Sequence, residues 1–280
     1  MEPEAAPTTL RLEGRSEANT NKSLGKAIRL LDCFTEERAE WSVSELSRHL
    51  GIGKSSVSTM LATLAQGGVV YQSPVTRRYQ LGLRCLELGY LASSRLVLRD
   101  YAFPHLEALL VNRDYIVYMA IPYDYEVLYI EALYPPKRKT NYSSQGRRAP
   151  MHCTGIGKAA LAFMPEEYVQ GFLGRGELKR YTRNTITEPQ ELCQELERTR
   201  ARGYALDRQE REEGIHCVAA PIKLSEGQLV ASVSMSGAAA EMPEHDFPAL
   251  ALEVVAAARA ISRKLISVGY TSSQPGRTAT

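Results

Sequence analysis

The chain has no run approaching eighteen consecutive apolar residues, so a membrane-spanning helix is not expected. A secretory leader is not expected either, since the first ten residues, MEPEAAPTTL, are acidic and polar where a leader would be basic and then apolar. A cytoplasmic protein with no membrane partner is the expectation. Cysteine is sparse. Its five residues, at positions 33, 85, 153, 193 and 217, are odd in number and include no Cys-x-x-Cys pair. That argues against a disulfide scaffold and against a cysteine-rich zinc module. No internal repeat is visible, and neither charge dominates, since 34 Lys and Arg face 32 Asp and Glu.

What remains is an ordinary globular composition, 44% hydrophobic and 24% charged, over 280 residues, a length that suits two domains better than one. The small charge excess is unevenly spread. Residues 1–21 hold two Arg against four Glu, whereas residues 22–90 hold nine basic against six acidic residues. A mildly basic segment is compatible with phosphate contacts, but shape has to carry the reading. Residues 1–21 and 271–280 are poor in large apolar residues and are expected to be disordered tails.

Between the tails, Leu24, Ala27, Ile28, Leu31 and Phe34 recur at helical spacing. Ser42-Val-Ser-Glu45 is a capping-box pattern that opens a second helix, and Gly51-Ile-Gly53 supplies a sharp turn. A third helix runs from Lys54 to about Gln66 and stops at Gly67-Gly68. The period then changes. Residues 69–72 and 77–81 read as two strands around a Ser-Pro turn. Three helices and a hairpin make a winged helix-turn-helix over residues 22–83, in which the third helix lies in the major groove of double-stranded DNA and the wing reaches adjacent backbone. The candidate DNA contacts are Ser42, Lys54, Ser55, Ser56, Ser58, Thr59 and Thr63, which are short polar groups plus one cation, and Arg77 and Arg78 on the wing.

Residues 84–100 are expected to form a linker helix, with Pro104 marking a break or a new first turn. From 101 to 270, paired strands alternate with helices, which points to an α+β domain with a mostly antiparallel sheet. Thr154-Gly-Ile-Gly157 precedes a helix whose first N–H groups, at Gly155 and Ile156, could receive a carboxylate. The same segment could equally be a simple loop and cap. His152-Cys153 and His216-Cys217 raise catalysis or a metal, but neighbours in extended chain point to opposite faces and the spacing is not that of a zinc finger. Neither an enzyme, a cofactor nor a metal is expected.

The segments SLGKAIRLLDCF, WSVSELSRHLGIGKSSVSTMLATLAQGGVV and RRYQLGLRCLELG resemble the DNA-binding half of the IclR family of transcription regulators. GRRAPMHCTGIGKAALA, GYALDRQEREEGIHCVAAPI and ASVSMSG resemble the effector domain of the same family. The resemblance implies a GAF-like effector domain, homodimers or homotetramers, and control by a small organic effector, an anion or aromatic acid. It also assigns the effector pocket to Gly155, Ile156, Asp207, Cys217, Ser234 and Ser236, with Ile215 and Ala149 as apolar wall. One departure stands out: family members often carry His or Tyr followed by Arg where this chain has Ser58-Thr59, so direct guanine readout is weaker here. The competing reading is a small-molecule-binding or hydrolytic protein whose N-terminal helices only dimerise.

Overall fold

A computed structural model describes residues 21–94, 96–111, 113–136, 144–224 and 227–271. The tail expectations for 1–20 and 272–280 lie outside them. The chain forms two compact units that divide at residues 95–96. Among the described residues no helix is long and apolar enough to cross a membrane.

The first unit begins with α1 (Lys22–Leu31), whose N-terminus is capped by the Asn21 side chain accepting from the Ser23 and Leu24 N–H groups. In α2 (Val43–Leu50) both bonds of the capping box form between Ser42 and Glu45, and Gly51 ends the helix at φ +66°. Next come α3 (Lys54–Gln66) and the antiparallel strands β1 (Val70–Gln72) and β2 (Tyr79–Leu81). Leu30, Trp41, Leu46, Val57, Leu61, Val70 and Tyr79 fill one core. Trp41 ties it together, because its indole N–H donates to the Cys33 carbonyl at 2.7 Å and its backbone bridges Tyr79. Helix α4 (Leu83–Ser93) leaves the wing at Gly82, where a Cβ would sit 2.1 Å from the Gly68 carbonyl oxygen. Only glycine permits that backbone-on-backbone contact.

The second unit opens with α5 (Val97–Leu110). Of the linker helix expected over 84–100, residues 84–93 lie in α4 and 97–100 in α5, and Pro104 sits inside α5 without ending it. Pro104 lacks the N–H that the Asp100 carbonyl would accept, but Leu98, Ala102, Leu106 and Leu109 bury one stripe of α5 and hold the helix through the defect. Six antiparallel strands follow: β3 (Ile116–Tyr123), β4 (Glu126–Leu133), β5 (Arg148–Pro150), β6 (Ala205–Arg208), β7 (Ile215–Lys223) and β8 (Leu229–Ala238), in the spatial order β5-β4-β3-β8-β7-β6. Strand alternation splits their side chains. Val117, Met119, Val218, Ala220, Val233 and Met235 face α5 and the long α9 (Phe247–Ser267). Ala120, Val127, Ala205 and Ala219 pack in a second cluster with residues of α6 (Gly155–Leu161), α7 (Glu166–Leu173) and α8 (Pro189–Arg202). Pro221 sits in β7 beyond the end of β6, so its missing N–H costs no ladder bond on that side.

Candidate nucleic-acid interface and effector site

On α3, Lys54, Ser55, Ser56, Ser58, Thr59 and Thr63 are all exposed while Val57 and Leu61 are buried. The Thr59 and Thr63 hydroxyls donate back to the Ser55 and Thr59 carbonyls at 3.0 Å, leaving their oxygens to accept. The wing turn presents Arg77 to solvent at φ +57°. Two expected contacts are already engaged within the chain. The Ser42 hydroxyl donates to Glu45, and the Arg78 guanidinium reaches the same carboxylate at 2.7 and 2.8 Å. Arg38, absent from the sequence-based set, joins them at 2.8 Å and lies 3.4 Å over the Trp41 ring. Hydrogen bonds from Ser42, with help from Arg78 and Arg38, hold the Glu45 carboxyl down at about 2. Periodicity carries no signal for a loop residue such as Arg38, and Glu45 reads from sequence only as the third residue of a capping box.

In the second unit, Asp207, Cys217 and Ser236 are register partners across β6, β7 and β8, so they share a face. Ser234 lies one row on, paired with Ala219 and Tyr118. The start of α6 covers this face closely: a Cβ on Gly155 would lie 2.9 Å from the Cys217 sulfur, and the Ile156 N–H is directed at the same thiol. Gly155, Ile156, Asp207, Cys217, Ser234 and Ser236 are therefore brought to one face. Ile215 shares the side of Cys217, two residues along β7. Ala149 sits on β5, at the edge of the sheet opposite Asp207, and packs in the same cluster as Ile156 of α6. The Ile156 side chain packs with Ala149 in the hydrophobic cluster, so its bulk belongs to the core.

Burial sets the electrostatics of this face. Asp207 is pushed up to about 7, first by desolvation and then by the neighbouring Glu210. Its Oδ1 accepts the Glu210 N–H at 2.7 Å. Burial lifts the Cys153 and Cys217 thiols to about 12, which keeps both neutral and poor nucleophiles. Ser232 and Ser234 have fully buried hydroxyls without a conventional hydrogen-bond partner, Ser234 lying beside the Cys217 thiol. His152 bonds the Lys179 carbonyl at 2.9 Å and His216 the Met242 carbonyl at 2.8 Å, so each imidazole has a structural partner. Among the described residues no three His, Cys, Asp or Glu side chains gather as metal ligands.

Sequence reasoning missed Lys158. It is 1% exposed on α6, and its ammonium reaches both Glu210 oxygens at 2.5 Å. The Thr185 hydroxyl donates to the Glu210 carbonyl and the Thr182 hydroxyl to the neighbouring Gln209 carbonyl, each at 2.6 Å, so this turn is held from several sides. A lysine four residues into a helix carries no sequence mark of burial.

Residues 23–74 match the family profile described as the IclR helix-turn-helix domain, and residues 90–263 the profile described as bacterial transcriptional regulator IclR C-terminal. The HTH-type transcriptional regulator KipR of Bacillus subtilis is 32% identical over 253 residues, covering 90% of this chain and 99% of that protein. The corresponding regulator XynR of Escherichia coli is 30% identical over 244 residues, 87% of this chain and 97% of its own length. The crystal structure of the Thermotoga maritima IclR is 33% identical, with a TM-score of 0.68 over 87% of this chain and 98% of that one. The matched relatives are regulators and not enzymes, and the winged helix-turn-helix with its GAF-like α/β unit is their architecture: the chain belongs to the IclR family of DNA-binding transcription regulators.

Proposed function

We propose that this regulator binds operator DNA as a symmetric dimer or a dimer of dimers in the cytoplasm, and that a small organic anion in the second unit sets its operator affinity. One observation carries the effector reading. Asp207, Cys217 and Ser234 converge beneath the start of α6, with the Ser234 hydroxyl fully buried and facing only the weakly bonding Cys217 thiol. A buried hydroxyl in that state gains from a ligand oxygen. Burial favours the protonated form of Asp207, so its carboxyl can donate to a carboxylate rather than repel it. Coupling to DNA is a difference in ligand affinity between two arrangements of the assembly.

The dimer reading rests on α4, which buries no residue of its own and exposes Leu83 and Leu86 at 80% and 71%, with Tyr90 and Leu91 nearby on the same helix. Paired recognition helices are also needed because Ser and Thr give little base discrimination singly.

A thermal-shift screen of small aliphatic and aromatic carboxylates finds the effector, since a ligand of the native state raises the melting temperature. Operator affinity with and without it then tests the site. Ser234→Ala should shift the effective concentration by a hydrogen bond of roughly 0.5 to 1.5 kcal/mol. Ser234→Leu should keep operator binding and lose the response, and a full response from that variant would place the effector elsewhere.

A further inference from the structure

Glu45 gathers more donors than a helix cap needs. Capping uses the Ser42 N–H and hydroxyl, at 2.8 and 2.7 Å. The carboxylate also holds Arg78 from the wing and Arg38 from the α1–α2 connection. Two guanidinium groups from two elements thus meet on one carboxylate at the first turn of a third. Side-chain exposures of 44% for Arg38, 35% for Arg78 and 27% for Glu45 leave all three open to water, where an ion pair is weak and easily exchanged. The contrast within the molecule is the sealed pair of Lys158 and Glu210, at 1% and 7%.

We propose that Arg38 and Arg78 are a pair of DNA-phosphate contacts held ready on Glu45, and that phosphate replaces the carboxylate when the wing meets a duplex. Arg38 is then a DNA-contacting residue and Glu45 a positioning residue. The chemistry fits. A guanidinium fork that matches a carboxylate also matches a phosphate, and the exchange costs no new charge pattern. Stacking on Trp41 fixes the plane of the Arg38 guanidinium in advance, so little freedom is lost on contact. Glu45 itself cannot follow the arginines, because Ser42 ties it to the helix start. Its retained charge faces the incoming backbone and lowers affinity for DNA of any sequence, leaving the recognition helix a larger share in choosing the site.

The test uses the full chain and a mixed-sequence duplex, with affinity measured across a range of salt. Glu45→Gln keeps an oxygen for the Ser42 donors and removes the charge, so it should bind this duplex several-fold more tightly. Adding Arg38→Gln to that variant is decisive. If Arg38 contacts phosphate, the double variant has a slope of log affinity against log salt shallower than Glu45→Gln alone by about 0.9 for each bound protomer, so about 1.8 for a dimer. If Arg38 only neutralises Glu45, the two slopes coincide and the proposal fails. A second measurement needs no variant. Phenylglyoxal should modify Arg38 and Arg78 in the free protein and spare both when duplex is bound, whereas equal modification of Arg38 in the two samples overturns its assignment.

Discussion

Arg77 holds φ at +57°, a conformation that costs an L-residue roughly 1 to 2 kcal/mol and that glycine adopts freely. Its charge and its backbone strain can therefore be separated. Arg77→Gly and Arg77→Val both remove one cation from each wing, and both should flatten the salt slope of duplex binding by about 0.9 for each bound protomer, about 1.8 for a dimer. Only Arg77→Val, with a β-branched side chain in the left-handed region, should lower thermal stability, by more than about 1 kcal/mol in a denaturant titration. The buried pair of Lys158 and Glu210 makes a different demand. Lys158→Met strands a carboxylate in the core and should cost about 3 to 5 kcal/mol, while adding Glu210→Gln should restore most of it, as a double-mutant cycle in urea will show. Asp207 gives a pH signature of unusual sign. The unfolded chain releases this proton near 4 and the folded chain near 7, so the native state binds more protons in between, and the group's contribution to stability falls as pH rises across that window. Asp207→Asn keeps an oxygen for the Glu210 N–H. Its stability advantage over the parent should be near zero at pH 4 and reach on the order of 4 kcal/mol by pH 8, and a flat difference would remove the raised carboxyl from the account.

At the level of elements, α4 is the one whose sequence and surroundings disagree most. Leucines and a tyrosine recur along it, yet none is buried within its unit. Leu86→Asp should leave the melting of the first unit nearly unchanged, because this side chain is 71% exposed, and should shift sedimentation toward smaller species by weakening the proposed dimer face. Unchanged sedimentation at all concentrations would count against α4 as that face. Local chemistry made several elements legible beforehand. The Ser42–Glu45 box, the glycines at 51 and 53 and the Ser-Pro turn each dictate backbone geometry within four residues, and α2, its turn and the wing fall where those residues demand. Long-range geometry was less legible. Pro104 reads as a break or a new first turn, but the buried stripe of α5 outweighs one lost hydrogen bond, and that stripe exists only because the sheet lies against it. Similarly, nothing in the spacing of Ala149 and Asp207 tells that β5 and β6 become opposite edges, since strand order is a property of the whole sheet.

At the scale of the molecule, the two units keep separate cores. Calorimetry should therefore resolve two unfolding transitions, and an effector bound to the second unit should raise only that unit's transition directly. The family was readable from spaced blocks of sequence in both halves because each block encodes a local device of the fold. The cluster at Glu45 and the seal around Lys158 were not, since their members are 33 and 52 residues apart and meet only after folding. The Lys158 seal has a practical outcome. Lysine amines are ordinarily open to acylating reagents, but that of Lys158 reacts only when α6 separates from the β6–β7 turn. Timed labelling of Lys158 against the exposed Lys54 thus gives an internal clock for opening of the second unit, read by mass spectrometry from a single native sample.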